Sequence, residues 1–183
     1  QGTVSGSNQK ETGTGGADLY RPDERGIYTA RGVFAEGRIG RADQFRLRFS
    51  GGGAWEFRPL DGRPAAGCIE RIVDRNGNAL RFGYDKTGRL EVVTDTLGRT
   101  IVFSHDRAGR LTTLTDFTGR RVSYRYTADG DLASVTYPPV TETPTGNDFP
   151  AGATVHYAYS APHRLAGITD RDGEPLLDVA RRH

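Results

Sequence analysis

Apolar and polar residues alternate in short runs along most of this chain, and the runs recur. In Phe45-Arg46-Leu47-Arg48-Phe49 three apolar side chains face one way and two arginines the other, the period of a half-buried strand. Gly51, Gly52 and Gly53 supply a turn before Trp55 and Phe57 resume the pattern. With "GIYTARGVF" upstream, residues 19–68 read as a β-meander. Further on, Leu80/Phe82/Tyr84, Ile101/Phe103/His105, Val122/Tyr124/Tyr126 and Val155/Tyr157/Tyr159 alternate strictly. Branched and aromatic residues at period two predict strands, and the predicted fold class is all-β.

Fixed offsets show that these strands belong to a repeat. Asp74, Asp95 and Asp116 are 21 residues apart, as are Gly77, Gly98 and Gly119, then Gly88, Gly109 and Gly130, then Leu90, Leu111 and Leu132. A fourth copy is delayed: Tyr159, Leu165, Ile168 and Asp170, with Gly173 closing its turn, follow the third at an offset of 33. The extra residues fall in "YPPVTETPTGNDFPAGA", whose four prolines predict a loop insert at about 137–153. Residues 69–183 are thus read as the repeat region, 19–68 as its lead-in, and the Gly-, Ser- and Thr-rich residues 1–18 as a flexible linker or strap.

Each unit is two short strands and two tight turns. Asp-x-x-Gly follows the first strand at Asp85–Gly88 and Asp106–Gly109, and the second at Asp95–Gly98, Asp116–Gly119 and Asp170–Gly173. An Asp at the first turn position accepts from backbone N–H groups, and Gly takes the positive φ that ends the turn. Leu90 and Val93 are three apart. Either both faces of the second strand are partly covered, or a bulge twists it between them.

The pattern YD-x-x-GRL-x-x-x-TD-x-x-GR resembles the Rhs/YD-repeat family. Tyr84, Asp85, Gly88, Arg89 and Leu90 make the full signature; the next copy keeps Asp106, Gly109, Arg110 and Leu111 with His105 for Tyr, and the third keeps Tyr126, Gly130 and Leu132 without the Asp. The repeat match runs from about Ile69 to Gly173, and the lead-in is similar to the segment that often precedes the first repeat of the family.

The resemblance implies tandem hairpins in a curved, spiralling antiparallel sheet, a segment of a β-shell that in bacterial toxins encloses a C-terminal toxin. Related barrels in animal teneurins serve cell-surface adhesion. It implies as partners the rest of the same polypeptide, its toxin cargo and a secretion apparatus such as type VI, and as location the outside of the cell or the bacterial surface. Four repeats are too few to close a cage, and the DPxG-type self-cleavage motif is absent. The chain therefore looks like an N-terminal slice of a shell or a short relative. The final strand agrees with truncation, since Leu177 and Val179 are out of step with the Phe82/Tyr84 positions. A cut there would expose unpaired sheet edges and favour self-association.

Composition narrows the alternatives. The net charge is +2, and 23 Arg to 2 Lys are spread along the chain, so nucleic acid is not the expected partner. No apolar run approaches the roughly 18 residues that span a bilayer, so a soluble chain without a membrane span is expected. It contains no Met, and its start is read as a processing boundary. Cys68 stands alone and reads as a small buried hydrophobe.

No catalytic grouping, cofactor or metal site is predicted. The histidines, His105, His156, His163 and His183, are scattered, and His105 fills a tyrosine slot. Asp74–Asn78 and Asp170–Glu174 evoke a calcium loop, but Gly stands at the fourth position where an EF-hand needs it at the sixth. The expected function is a non-enzymatic wall or cap of a toxin shell. The rival expectation is a small secreted module that binds carbohydrate or a protein through Trp55 and the repeat tyrosines; burial of those rings would count against it.

Overall fold

The computed structural model describes residues 22–30, 33–142 and 148–178. The expected linker at 1–18 lies outside them, as does Val179. Strands β1 (Ile27–Ala30), β2 (Val33–Ile39), β3 (Phe45–Phe49) and β4 (Ala54–Phe57) form the lead-in. The first three repeat copies supply β5 (Ile69–Val73), β6 (Ala79–Tyr84), β7 (Leu90–Thr94), β8 (Thr100–His105), β9 (Leu111–Thr115), β10 (Arg121–Tyr126) and β11 (Leu132–Thr136). Beyond the Pro-rich insert come β12 (Thr154–Ala161), β13 (Arg164–Thr169) and β14 (Pro175–Asp178).

These 14 strands form one open sheet in chain order, each antiparallel to the next. Among the described residues the only helical segment is a short 3₁₀ turn, Arg41–Asp43, joining β2 to β3. The register explains the amphipathic pattern. Phe82 stands opposite Val93, which stands opposite Ile101; Tyr124, Val135 and Val155 make the same cross-strand row further along, as do Tyr157, Ile168 and Leu177. The other face carries polar rows, such as Ser104, Thr113, Ser123, Thr136 and Thr154 on five consecutive strands.

Domains ordinarily bury a sheet face against a second layer. Here none lies on the sheet among the described residues: the buried apolar side chains are Ile27, Ala35, Ala54 and Val135, and no large side chain is fully buried. Apart from Val135, the residues of the repeat rows are at most half-buried.

The insert does not interrupt the sheet. Thr136 pairs with Thr154 across it, the Tyr137 N–H donates to the Ala153 carbonyl at 2.8 Å, and Val140 bridges to Phe149. The last strand is out of step in sequence, yet a register shift between Ile168 and Thr169 sets Leu177 opposite Ile168 and leaves Leu176 unopposed. A one-residue slip is thus absorbed locally, and the apolar row continues.

Candidate functional site

The repeated feature is a turn, a bulge and a tyrosine. At Asp85 the main-chain N–H donates to the Arg89 carbonyl and the Gly88 N–H to the Asp85 carbonyl, at 2.8 and 3.0 Å. This is a three-residue hairpin loop with Gly88 at φ +88°. The carboxylate completes it: Oδ1 accepts the N–H groups of Thr87 and Arg89 at 2.8 and 3.0 Å, and Oδ2 accepts both Nε and Nη2 of Arg89 at 2.8 Å. Asp95–Arg99, Asp106–Arg110 and Asp116–Arg120 repeat the bidentate pair at 2.6–2.7 Å. The Thr87 hydroxyl first, then the backbone of Arg89, holds the Asp85 carboxyl far below the usual carboxylate range. Asp116 is lowered to about 2, mainly by the Thr118 hydroxyl.

The second turn position of each unit lies at the opposite edge. Asp85, Asp106, Gly88, Gly109 and Gly130 mark one edge, and Asp95, Asp116, Asp170, Gly98, Gly119 and Gly173 the other. The motif residues therefore line up in rows and do not converge on a point. Along the first edge Arg89 Nη1 also reaches the Asp106 carbonyl at 3.2 Å, tying one turn to the next.

The open question about Leu90 and Val93 is resolved by a bulge. Gly83 opposes Val92 and Tyr84 opposes Leu90, so Glu91 has no opposite residue. The phase flips, and Leu90 and Val93 face the same way. Thr112, Ala133 and Ala166 occupy the same place in the next three hairpins, and Glu70 in the one before.

The tyrosine closes the space between neighbouring hairpins. The β5–β6 ladder runs from Val73/Ala79 to Arg71/Arg81, and beyond it the Tyr84 hydroxyl donates to the Ile69 carbonyl at 2.6 Å. Tyr126 donates to Leu111 at 2.8 Å and Tyr159 to Leu132 at 3.0 Å. Each acceptor immediately precedes a bulged residue. Guanidinium groups cap two of the rings, Arg58 over Tyr84 and Arg110 over Tyr126, both 4.7 Å from the centroid.

Several partners were not anticipated from sequence. Arg89 and Arg110 were read as motif residues, but not as the partners that, with Arg99 and Arg120, complete the turns. His163 adopts φ +61° in the slot that Gly88 and Gly109 fill in earlier copies. Asp131, in the slot of Arg89 and Arg110, reaches across to it: the carboxylate accepts the His163 N–H at 2.9 Å and contacts ring Nδ1 at 2.7 Å. The hydrogen bond and charge of Asp131 raise the His163 pKa, and His163 lowers that of Asp131. A further Asp-x-x-Gly turn at Asp23–Gly26 has the same hydrogen bonds; its spelling was visible in the sequence.

In the calcium-like segments the Asp74 Oδ1 accepts from the N–H groups of Asn76 and Asn78, and the Asp170 Oδ1 from those of Asp172 and Glu174. Among the described residues no three His, Cys, Asp or Glu side chains are grouped to hold a metal, and no helix is long and apolar enough to cross a membrane. Cys68 is half-buried, less enclosed than expected. Trp55 is 40% exposed and meets Phe49 edge-on at 5.3 Å.

The RHS repeat model matches residues 65–100, 84–121 and 105–138. The fourth copy and most of the lead-in lie outside that match. Among solved structures the chain is similar to the Tc holotoxin pore of Photorhabdus luminescens, at 16% identity and a TM-score of 0.49 over 85% of this chain and 9% of that one. It is also similar to the complex of TcdB2, TccC3 and Cdc42, at 15% identity and a TM-score of 0.47 over 74% of this chain and 8% of that one. The chain spans less than a tenth of the length of either. No curated protein matches it by sequence.

Proposed function

We propose, from the premise that residues 65–138 are RHS repeats of the Rhs/YD family, that this chain is a non-catalytic segment of shell wall in a secreted or surface-exposed protein, enclosing a toxin carried on the same polypeptide. The observation that carries the reading is the uncovered sheet. Fourteen strands run in chain order, and the hydroxyls of Tyr84, Tyr126 and Tyr159 each bond the neighbouring hairpin. Such a sheet is continuous from unit to unit, and it grows by adding units, as repeat proteins do. The motif residues from Tyr84 to Gly173 act in this reading as joints of the wall.

The mechanism is exclusion. A continuous hydrogen-bonded ladder blocks passage of a protease or a second polypeptide, while the bulge recurring in each hairpin adds twist. The rival carbohydrate reading keeps one foothold, the partly exposed Trp55. Limited proteolysis of the native polypeptide tests the wall. Segments following the repeats should resist protease until the wall is unfolded, and equal cleavage before and after unfolding would refute enclosure.

A further inference from the structure

The polar face carries a charge row that the wall does not need. Arg38 of β2, Arg46 of β3, Glu56 of β4, Arg71 of β5 and Arg81 of β6 stand directly opposite one another on consecutive strands. Directly opposed residues have Cβ atoms about 5 Å apart, and like charges so placed destabilise the pairing. Arg71 and Arg81 are such a pair.

The row holds four guanidinium groups and one carboxylate, which pairs with two of them. Glu56 is shared between Arg46 at 3.5 Å and Arg71 at 3.6 Å, both longer than a charge-assisted hydrogen bond. Glu70, the other acid nearby, accepts from Gln44 Nε2 at 3.1 Å. Arg71 Nε is shielded from solvent and has no hydrogen-bond partner, a costly state for a donor. The Arg81 guanidinium has neither an ion pair nor a hydrogen bond among the described residues. Beside them opens a hollow of about 290 Å³ lined by Glu56, Glu70, Arg71, Arg81 and Phe82. The lining itself holds two guanidiniums and two carboxylates, and Arg46, paired to Glu56 from the neighbouring strand, tips the balance toward a negative guest.

We propose that Arg71 and Arg81 bind an oxyanion in this hollow, a carboxylate or a phosphate group. The planar guanidinium fork matches either geometry. A bound oxyanion accepts from the guanidinium of Arg81, which has no ion pair, and from the part of the Arg71 guanidinium that is exposed, and it screens the opposed pair. The site is independent of the wall reading.

Calorimetric titration of the chain with inorganic phosphate and, separately, with a glutamate-rich peptide tests it, at constant ionic strength against chloride. Saturable binding of at least one, weakened at least tenfold in a folded Arg81→Gln variant, is expected. Phosphate alone binding identifies a phosphate-bearing guest, and the peptide alone identifies an acidic protein segment; each supports the site. Arg71→Gln should behave likewise, and if it fails to fold, Arg81→Gln carries the test. No saturable binding of either probe, or undiminished binding to folded Arg81→Gln, overturns the proposal.

Discussion

Two consecutive turns on one edge of the sheet, Asp106–Gly109 and Thr127–Gly130, close the same hydrogen-bonded loop with different side chains. In the first, the carboxylate and guanidinium of one turn hold each other. In the second, Thr127 takes the aspartate slot and its hydroxyl accepts the Asp131 N–H at 3.1 Å. The carboxylate has moved to the arginine slot, and it grips His163 of the next hairpin. The backbone path needs a short acceptor at the first position and a residue with positive φ at the fourth. The remaining charge is free to work within a turn or between turns.

The largest effect that sharpens this comparison is steric. Gly88 and Gly109 fill one slot, at φ +88° and +84°. A Cβ on Gly88 would lie 2.6 Å from the Ala65 backbone nitrogen, whereas one on Gly109 meets nothing nearer than the Arg89 side chain at 3.7 Å. Left-handed strain alone costs about 1–2 kcal/mol, which is the loss expected for Gly109→Ala in urea unfolding. Gly88→Ala should lose about 3 kcal/mol, since backbone must also move. Equal losses would mean that the loop before Cys68 is not docked on this turn.

Next in size is the tyrosine latch. Tyr126→Phe removes one hydroxyl from the Leu111 carbonyl and should cost about 1 kcal/mol. His105 occupies the equivalent slot, so His105→Tyr should gain up to about 1 kcal/mol by supplying the missing donor to the second copy. A loss on His105→Tyr would show that the latch depends on the ring environment of the other copies.

The smallest effect is electrostatic, because His163 is exposed to solvent even though its partner Asp131 is largely enclosed. The raised pKa of His163 makes its share of the bridge complete below its ordinary value of 6.5, fading as pH climbs through the higher folded value. The lowered pKa of Asp131 makes its share complete above 3.8, fading as pH falls through the folded value. The bridge is therefore whole between roughly pH 4 and 6.5. An NMR titration should place His163 above 6.5 and return it toward 6.5 in Asp131→Asn; an unchanged titration would remove the inter-turn bridge from the account.

How much of this was readable beforehand depended on sequence distance. Period-two rows and the 21-residue offset located the strands of the repeat, and Asp and Gly marked the turns, because both signals are local. The Leu90/Val93 spacing betrayed an irregularity without deciding its nature, since a bulge is a property of two paired strands. The tyrosine hydroxyl partners lie 15 or 27 residues away and Asp131 lies 32 from His163, so they emerge only once the register is known. His163 hid because a histidine in a glycine slot breaks the spelling of the turn. Asp23–Gly26 was spelled in full and was passed over because it stands outside the repeat.

The central claim is that these hairpins are wall and not a free-standing binding module. It is tested most directly by the intact mass of the native polypeptide that carries this sequence, taken from the producing cells. A species several times larger than 20 kDa is predicted. A native chain of 20 kDa would contradict the claim, because four repeats cannot surround a cargo.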